Sequence, residues 1–151
     1  MIINGKVLSI NISETKGVIK NPMNAGEFIE NFGLKDDAHS GKWHRQVSLL
    51  GVESINKMIE MGVKNLSFGK FAENITTEGI RLYEIPVGTK IKIGETIHEI
   101  TQIGKECHTG CAIKNQVGKC VMPKEGVFSR VLKGGIIKIG DIIEEYCDKA
   151  V

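Results

Sequence analysis

A short pattern occurs twice in this chain, and it limits the folds open to it. Residues 91–97 read IKIGETI and residues 137–143 read IKIGDII. In each copy isoleucines alternate with polar residues, the period of a half-buried strand. Gly-Glu or Gly-Asp then supplies a turn into a second run, so each copy predicts a β-hairpin. Two copies are too few for a solenoid, which needs about three or more repeats. They suit paired strands in one barrel-like sheet. Eighteen glycines against three prolines in 151 residues agree with many tight turns between short strands. The expected fold is therefore mainly β, a barrel with a few helices, in one domain spanning residues 1–151. A chain of this length buries a sizeable core without disulfides or metals.

The remaining segments fit around that sheet. Residues 6–12, KVLSINI, alternate as a strand. Residues 13–26 read as polar and irregular, with Pro22 stopping any helix, and residues 27–34 read as a second strand. Residues 46–50 form a short apolar strand. The best helix is 52–61, where Ile55, Met58 and Ile59 fall on one face at i, i+3 and i+4. Glu53 and Lys57 stand at i, i+4 in the favourable order, and Gly62 occupies the capping position. Residues 128–132 suit either a helical turn or a strand. No linker or low-complexity stretch divides the chain.

Charge and cysteine content exclude several classes. A net charge of +2 gives no electrostatic footprint for nucleic acid. No run of 18 apolar residues exists, so no membrane span is expected. The first residues lack a basic region followed by an apolar core, so a secretory signal is not expected and the compartment is read as the reducing cytoplasm. The four cysteines are then expected to be free, catalytic or metal-bound, not a disulfide framework. There is no GxxxxGK[ST] loop, GxGxxG fingerprint or GxSxG elbow.

Two stretches concentrate chemistry. Residues 101–113 read TQIGKECHTGCAI and hold Cys107 between Lys105 and His108. Only a thiolate attacks electrophiles or binds soft metals, and a nearby cation favours it. Gly104 and Gly110 permit a tight loop that presents the thiol. The bland alternative is a buried thiol acting as a small hydrophobe. Cys107 and Cys111 are four apart and Cys120 is nine further on, with His39, His44 and His108 as conceivable partners. Structural zinc sites show tighter paired spacings, so no tightly bound structural metal is expected. Residues 35–45, KDDAHSGKWHR, pack two aspartates, two histidines, the single Trp and Arg45 into a loop. Asp36 and Asp37 are expected to form a solvated turn. His98, within a strand pattern, is expected at the surface or hydrogen-bonded, and Cys147 is read as incidental. Glu73 and Asn74 suit either a site or a turn.

Four blocks together, DDAHSGKWHRQVSLL, FGKFAENITTEGI, TQIGKECHTGCAI and CVMPKEGVFSRVLKGGIIKIGD, resemble the MOSC domain family, the C-terminal domain type of molybdenum cofactor sulfurase, in its stand-alone bacterial form. The resemblance spans residues 6–143. It implies a β-barrel like that of pyruvate kinase, and handling of the molybdenum cofactor (molybdopterin) or its sulfur. It makes Cys107 the persulfide carrier or molybdenum ligand. Arg45 becomes a cofactor contact, joined by His44, Asn74, Lys105 and His108, and Cys111 a candidate resolving cysteine. Asp37 stands where a Gly is common in a GD pair. The chain has no length for a pyridoxal-phosphate fold, so sulfur would come from a donor protein such as a cysteine desulfurase. The alternatives are a molybdenum-dependent reductase of N-hydroxylated compounds and a delivery module without turnover. The physics is compatible: thiolate is a soft ligand, and Arg binds phosphate with two parallel hydrogen bonds.

Overall fold

The first alternating run becomes β1 (Asn4–Ile12), and a barrel closes on it. The structure, a computed structural model, describes residues 4–16, 18–105 and 122–147. β1 pairs antiparallel with β6 (Ile75–Glu78) on one side and with β11 (Ile142–Glu145) on the other. Between them run β5 (Val47–Gly51), β9 (Val127–Lys133), β8 (Thr96–Ile103) and β7 (Lys90–Ile93). The order β1-β6-β5-β9-β8-β7-β11 returns to β1 as a closed seven-stranded barrel. Closure removes the unpaired edges of an open sheet. Val7, Leu49, Ile75, Ile91, Ile93, Ile100, Val131 and Ile143 belong to one buried core.

All neighbouring pairs in the barrel are antiparallel except β5 with β6. Parallel strands cannot be joined by a tight turn. Here the connection contains α1 (Val52–Glu60), whose buried residues are Ser54, Ile55 and Met58. Ile55 and Met58 form a second core with Leu50, Val63, Phe71 and Phe128. The expected face was too wide: Ile59 is 49 % exposed, because the buried stripe runs through 54, 55 and 58. The expected Glu53–Lys57 pairing is replaced by tertiary bonds. Glu53 accepts the Gly79 N–H at 2.8 Å, and Lys57 donates to both oxygens of Glu125 at 3.0 Å. Glu125 ends a one-turn helix, α2 (Met122–Glu125).

A three-stranded sheet lies beside the barrel. It consists of β10 (Gly135–Lys138), β3 (Ala25–Ile29) and β4 (Gly33–Leu34). Residues 27–34, expected as one strand, are thus a hairpin, turning through Asn31 at φ 52°. The irregular stretch before it contains β2 (Asn21–Met23), with Pro22 opposite Asn11. Lacking an N–H, Pro is tolerated there because β2 is the outermost strand. At Gly26 an added Cβ would lie 2.8 Å from Leu34 Cδ1 and 3.1 Å from Ile10 Cγ2, so a side chain there would have to displace these methyl groups.

The first IKIG copy is the hairpin its sequence predicts: β7 and β8 pair from Lys90↔Glu99 to Ile93↔Thr96. The second copy is not. β10 pairs with β3, while β11 pairs with β1 and β7. The reason lies in the turn. Gly140 donates to Val7 O at 2.8 Å, Val7 donates to Asp141 O at 2.9 Å, and Ile139 donates to Asn24 O at 3.0 Å. These bonds engage the turn's backbone and send the chain from one sheet to the other. The two copies still meet, with Ile143 opposite Ile93.

Residues 128–132 resolve as strand within β9. His98 on β8 is fully buried, not at the surface. The Thr96 hydroxyl donates to Ile93 O at 2.8 Å, so at 2.9 Å it accepts from His98 Nε2–H. His98 Nδ1 then accepts from Ser129 Oγ at 2.9 Å. The ring is neutral, and burial pushes its pKa down to about 3. An unfolded histidine titrates near 6.5. Below that pH the unfolded chain takes up a proton that the folded ring refuses, so stability is full above about 6.5 and falls as pH drops toward 3. Denaturant midpoints should fall between pH 8 and pH 5, His98 alone contributing about 2 kcal/mol. His98→Gln should lower stability at pH 8 yet flatten this dependence. An unchanged slope would assign the dependence elsewhere.

Candidate functional site

Loops at one end of β1, β5 and β6 contribute to the lining of a cavity of about 310 Å³. Two of them are set by local chemistry. In residues 67–74, Gly69 has φ 89° and Ala72 has φ 61°, and an added Cβ at Gly69 would collide with the carbonyl oxygen of Lys20. The loop wraps the buried carboxylate of Glu73. Gly69 N–H donates to it at 3.0 Å, Phe71 N–H at 3.1 Å and the Thr76 hydroxyl at 2.8 Å. Burial raises the Glu73 pKa, against the pull of these hydrogen bonds. Asn74 follows, fully buried. Its Oδ1 accepts the Ser48 N–H at 3.0 Å and its Nδ2 donates to Asn11 O at 3.2 Å, tying β5 to β1.

The second loop, residues 35–46, is fixed by an ion pair buried on both sides. Lys20 Nζ lies 2.8 Å from Asp37 Oδ1, and both side chains have no exposed surface. Asp37 also accepts from Ser13 N–H at 3.1 Å and His39 N–H at 3.0 Å. Burial alone would push this carboxyl up. The hydrogen bonds from Lys20, Ser13 and His39 and the Lys20 charge outweigh that and hold it below its ordinary value. The expected solvated aspartate turn is therefore wrong for Asp37, while Asp36 is exposed. The glycine-like backbone also falls on Asp36, at φ 67°, and not on Asp37.

Lys16, Arg45 and Lys105 bring three cationic side chains to the cavity lining, together with His39. Trp43, Phe71 and Phe128 supply aromatic surface, and Ser48 and Ala72 complete it. The Arg45 guanidinium lies 4.8 Å from the Trp43 ring centroid and 5.7 Å from that of Phe128, within cation–π range. Arg45 Nε is buried without a hydrogen-bond partner among the described residues. An unmet buried donor costs free energy that a ligand acceptor would recover. A cavity of this size with aromatic walls and a few convergent polar groups has the character of a small-molecule site. Its charge favours an anion.

Two expected residues, Arg45 and Lys105, meet here. His44 does not line the cavity; its exposed ring bonds Gln102 at 2.8 Å and stands edge-on to Trp43. Asn74 sits behind the lining, bonded to Ser48. Cys107, His108, Cys111 and Cys120 lie outside the described residues, and Cys147 is exposed. Among the described residues no group of three His, Cys, Asp or Glu side chains is arranged for a metal. Sequence reasoning missed Lys16, Ser48, Phe71, Ala72 and Phe128 as lining, and Lys20 as a buried charge. The local signals were the crowding of residues 35–45 and the stretch 101–113, and none of these six residues lies in either.

The family model of the MOSC domain matches residues 36–144. Among solved structures, the YuaD protein from Bacillus subtilis superposes with TM-score 0.81 at 18% identity, covering 97% of this chain and 99% of that one. YiiM from Geobacillus stearothermophilus gives 0.72 at 20%, covering 95% and 75%. YiiM from Escherichia coli gives 0.70 at 14%, covering 98% and 72%. At these identities the similarity establishes a shared fold. No curated protein matches the sequence significantly. Among the described residues no helix is long and apolar enough to cross a membrane.

Removing one member of a buried ion pair leaves the other charge uncompensated. Lys20→Met should therefore destabilise the fold by about 3–5 kcal/mol. Lys20→Met combined with Asp37→Leu should recover part of that loss in equilibrium denaturation. A single mutant of wild-type stability would show that the pair contributes little.

Proposed function

The chain belongs to the MOSC domain family, a family associated with molybdenum cofactor binding and sulfur handling, and we propose that its cavity holds the molybdenum cofactor with Cys107 as the soft protein ligand. The observation that carries this reading is the donor set. Three cations converge on an aromatic-walled cavity, and one of them, Arg45, keeps a buried N–H without a partner. A pterin that carries a phosphate matches both features. The flat ring suits the aromatic walls, and the phosphate suits a guanidinium that cation–π contacts already orient. Lys16 and Lys105 add charge without fixed geometry. When bound, the cofactor supplies a soft metal centre for which thiolate is the matching ligand. Cys107 follows Lys105 by two residues in the sequence, and a lysine ammonium nearby favours a thiolate.

Elemental analysis and pterin fluorescence, on protein purified from a molybdenum-replete host, test the reading directly. Stoichiometric molybdenum with pterin is expected. A persulfide mass on Cys107 without molybdenum would assign the chain to sulfur carriage instead. In that case the thiolate attacks the outer sulfur of a donor protein's persulfide. The donor's S–S bond breaks, a new one forms on Cys107, and the donor leaves as its thiolate.

Two variants locate the binding groups. Arg45→Lys should weaken cofactor binding tenfold or more, on the order of a charge-assisted hydrogen bond, because Lys lacks the planar fork. Unchanged affinity with an intact fold would remove Arg45 from the site. Cys107→Ser should abolish molybdenum retention or persulfide loading while the denaturation midpoint stays near wild type. A Ser variant that still retains molybdenum and pterin would end the proposed role of Cys107.

A further inference from the structure

His39 reaches the cavity from a setting that leaves only one of its ring nitrogens available. Lys20 Nζ donates to Asp37 Oδ1 at 2.8 Å, to Ser13 Oγ at 2.9 Å and approaches His39 Nδ1 at 3.1 Å. An ammonium has three protons and no acceptor. The first two contacts use two of them, and the third points at Nδ1, which must therefore carry a lone pair. The backbone is held as well. His39 N–H donates to Asp37 Oδ2 at 3.0 Å, and His39 O accepts Trp43 Nε1–H at 2.8 Å. Nε2 is the remaining polar atom, without a partner among the described residues, on a side chain that lines the cavity and is 24% exposed.

We propose that His39 is the cavity's neutral hydrogen-bond donor, fixed as the Nε2–H tautomer by the buried Lys20–Asp37 pair, and that it binds an oxyanion of the ligand beside Arg45. The anionic ligand class rests on the cofactor-binding reading above; the tautomer does not. Every charged group facing the ring bears on its protonation. Burial, then Lys20, then Lys105 and Lys16 all favour the neutral form, and Asp37 alone opposes them. Asp37 Oδ2 lies 3.9 Å from Nδ1, but the Lys20 proton occupies that approach. A protonated Nδ1 would point its hydrogen at an ammonium. Lys20 and Asp37 are thus positioning residues, and the balance of burial and surrounding charge holds the ring's titration below that of a free histidine. Arg45, Lys16 and Lys105 supply charge, whereas His39 supplies a donor of fixed direction.

Nitrogen-15 NMR of the histidine rings tests this, with the His39 signals assigned by His39→Phe. In the wild-type protein the ring should be the neutral Nε2–H form at pH 7 and take up a proton only at lower pH than a free histidine does. Adding inorganic phosphate at pH 7 should move the Nε2–H resonance, and His39→Phe should weaken phosphate binding about tenfold. Lys20→Met, if folded, should shift the proton to Nδ1 against Asp37 and make the ring titrate at higher pH. Should that variant not fold, the wild-type spectrum still decides. A wild-type ring that is cationic at pH 7, or protonated on Nδ1, overturns the inference. Phosphate that binds through Arg45, as shown by its loss in Arg45→Lys, yet leaves the His39 signal unmoved overturns the donor role and leaves the cavity reading standing. Phosphate that does not bind while the Nε2–H tautomer is present overturns the anion-site reading, and the donor role with it.

Discussion

One ammonium group joins the loops that make this protein more than a barrel. Lys20 donates from its side chain to Ser13, Asp37 and His39, and from its backbone N–H to Gly69 O. Segments 13–20, 35–46 and 67–74 therefore meet at one buried residue. Burying a charge is expensive, and only a complete set of partners offsets it. Lys20 has that set, so the three loops are coupled: moving one strands a charge in a dry environment. The cost of disorder in this network is what keeps the cavity walls in place, because loops gain little from packing by themselves.

The barrel supplies the frame against which that network works. β1 pairs with β6, β11 and β2, and its residue Asn11 reaches into the loop layer. Asn11 Nδ2 donates to Glu73 O and Thr76 Oγ1, each at 3.0 Å. The buried carboxylate of Glu73 then orders 69–71, and Phe71 presents its ring both to the α1 core and to the cavity. Packing and site are thus continuous. Phe128 repeats the arrangement from β9, packing in the α1 core while standing 5.7 Å from the Arg45 guanidinium. The ligand-facing surface of the cavity is in part the reverse side of a hydrophobic core, which gives it rigidity that a loop site would otherwise lack.

A division of labour among cations follows. Lys20 is entirely internal and acts by organising. Arg45 is oriented by aromatic rings and keeps a donor free. Lys16 and Lys105 sit on the lining as charges on flexible stems. Burial and the Lys20 charge favour the neutral form of His39, so the cavity offers one directional donor amid diffuse positive potential. Chemically alike residues have different roles here because their burial and partners differ.

Local pattern alone determined a good part of this protein. The alternation in 6–12 and the first IKIG copy specified strands, because a strand with one dry face must alternate, and the short apolar run 46–50 specified another. The spacing of Ile55 and Met58 specified α1. Gly62 marked its end, at φ 101°. The density of 35–45 and the four family-like blocks singled out Arg45 and Lys105, which the structure places on the cavity lining. Tertiary structure decided what local pattern cannot encode. The second IKIG copy crosses between sheets because β1 binds its turn. His98 is a core residue because Thr96 and Ser129 satisfy both its nitrogens. Asp37 is buried because Lys20, seventeen residues earlier, meets it in space. Phe128 lines the cavity because β9 lies beside β5, and Phe71 because the Glu73 carboxyl holds the loop before β6. Periodicity reports which face of an element is dry, a property of neighbouring residues. The partner of a buried charge, and the strand beside a strand, depend on contacts between distant segments, and those exist only once the barrel has closed.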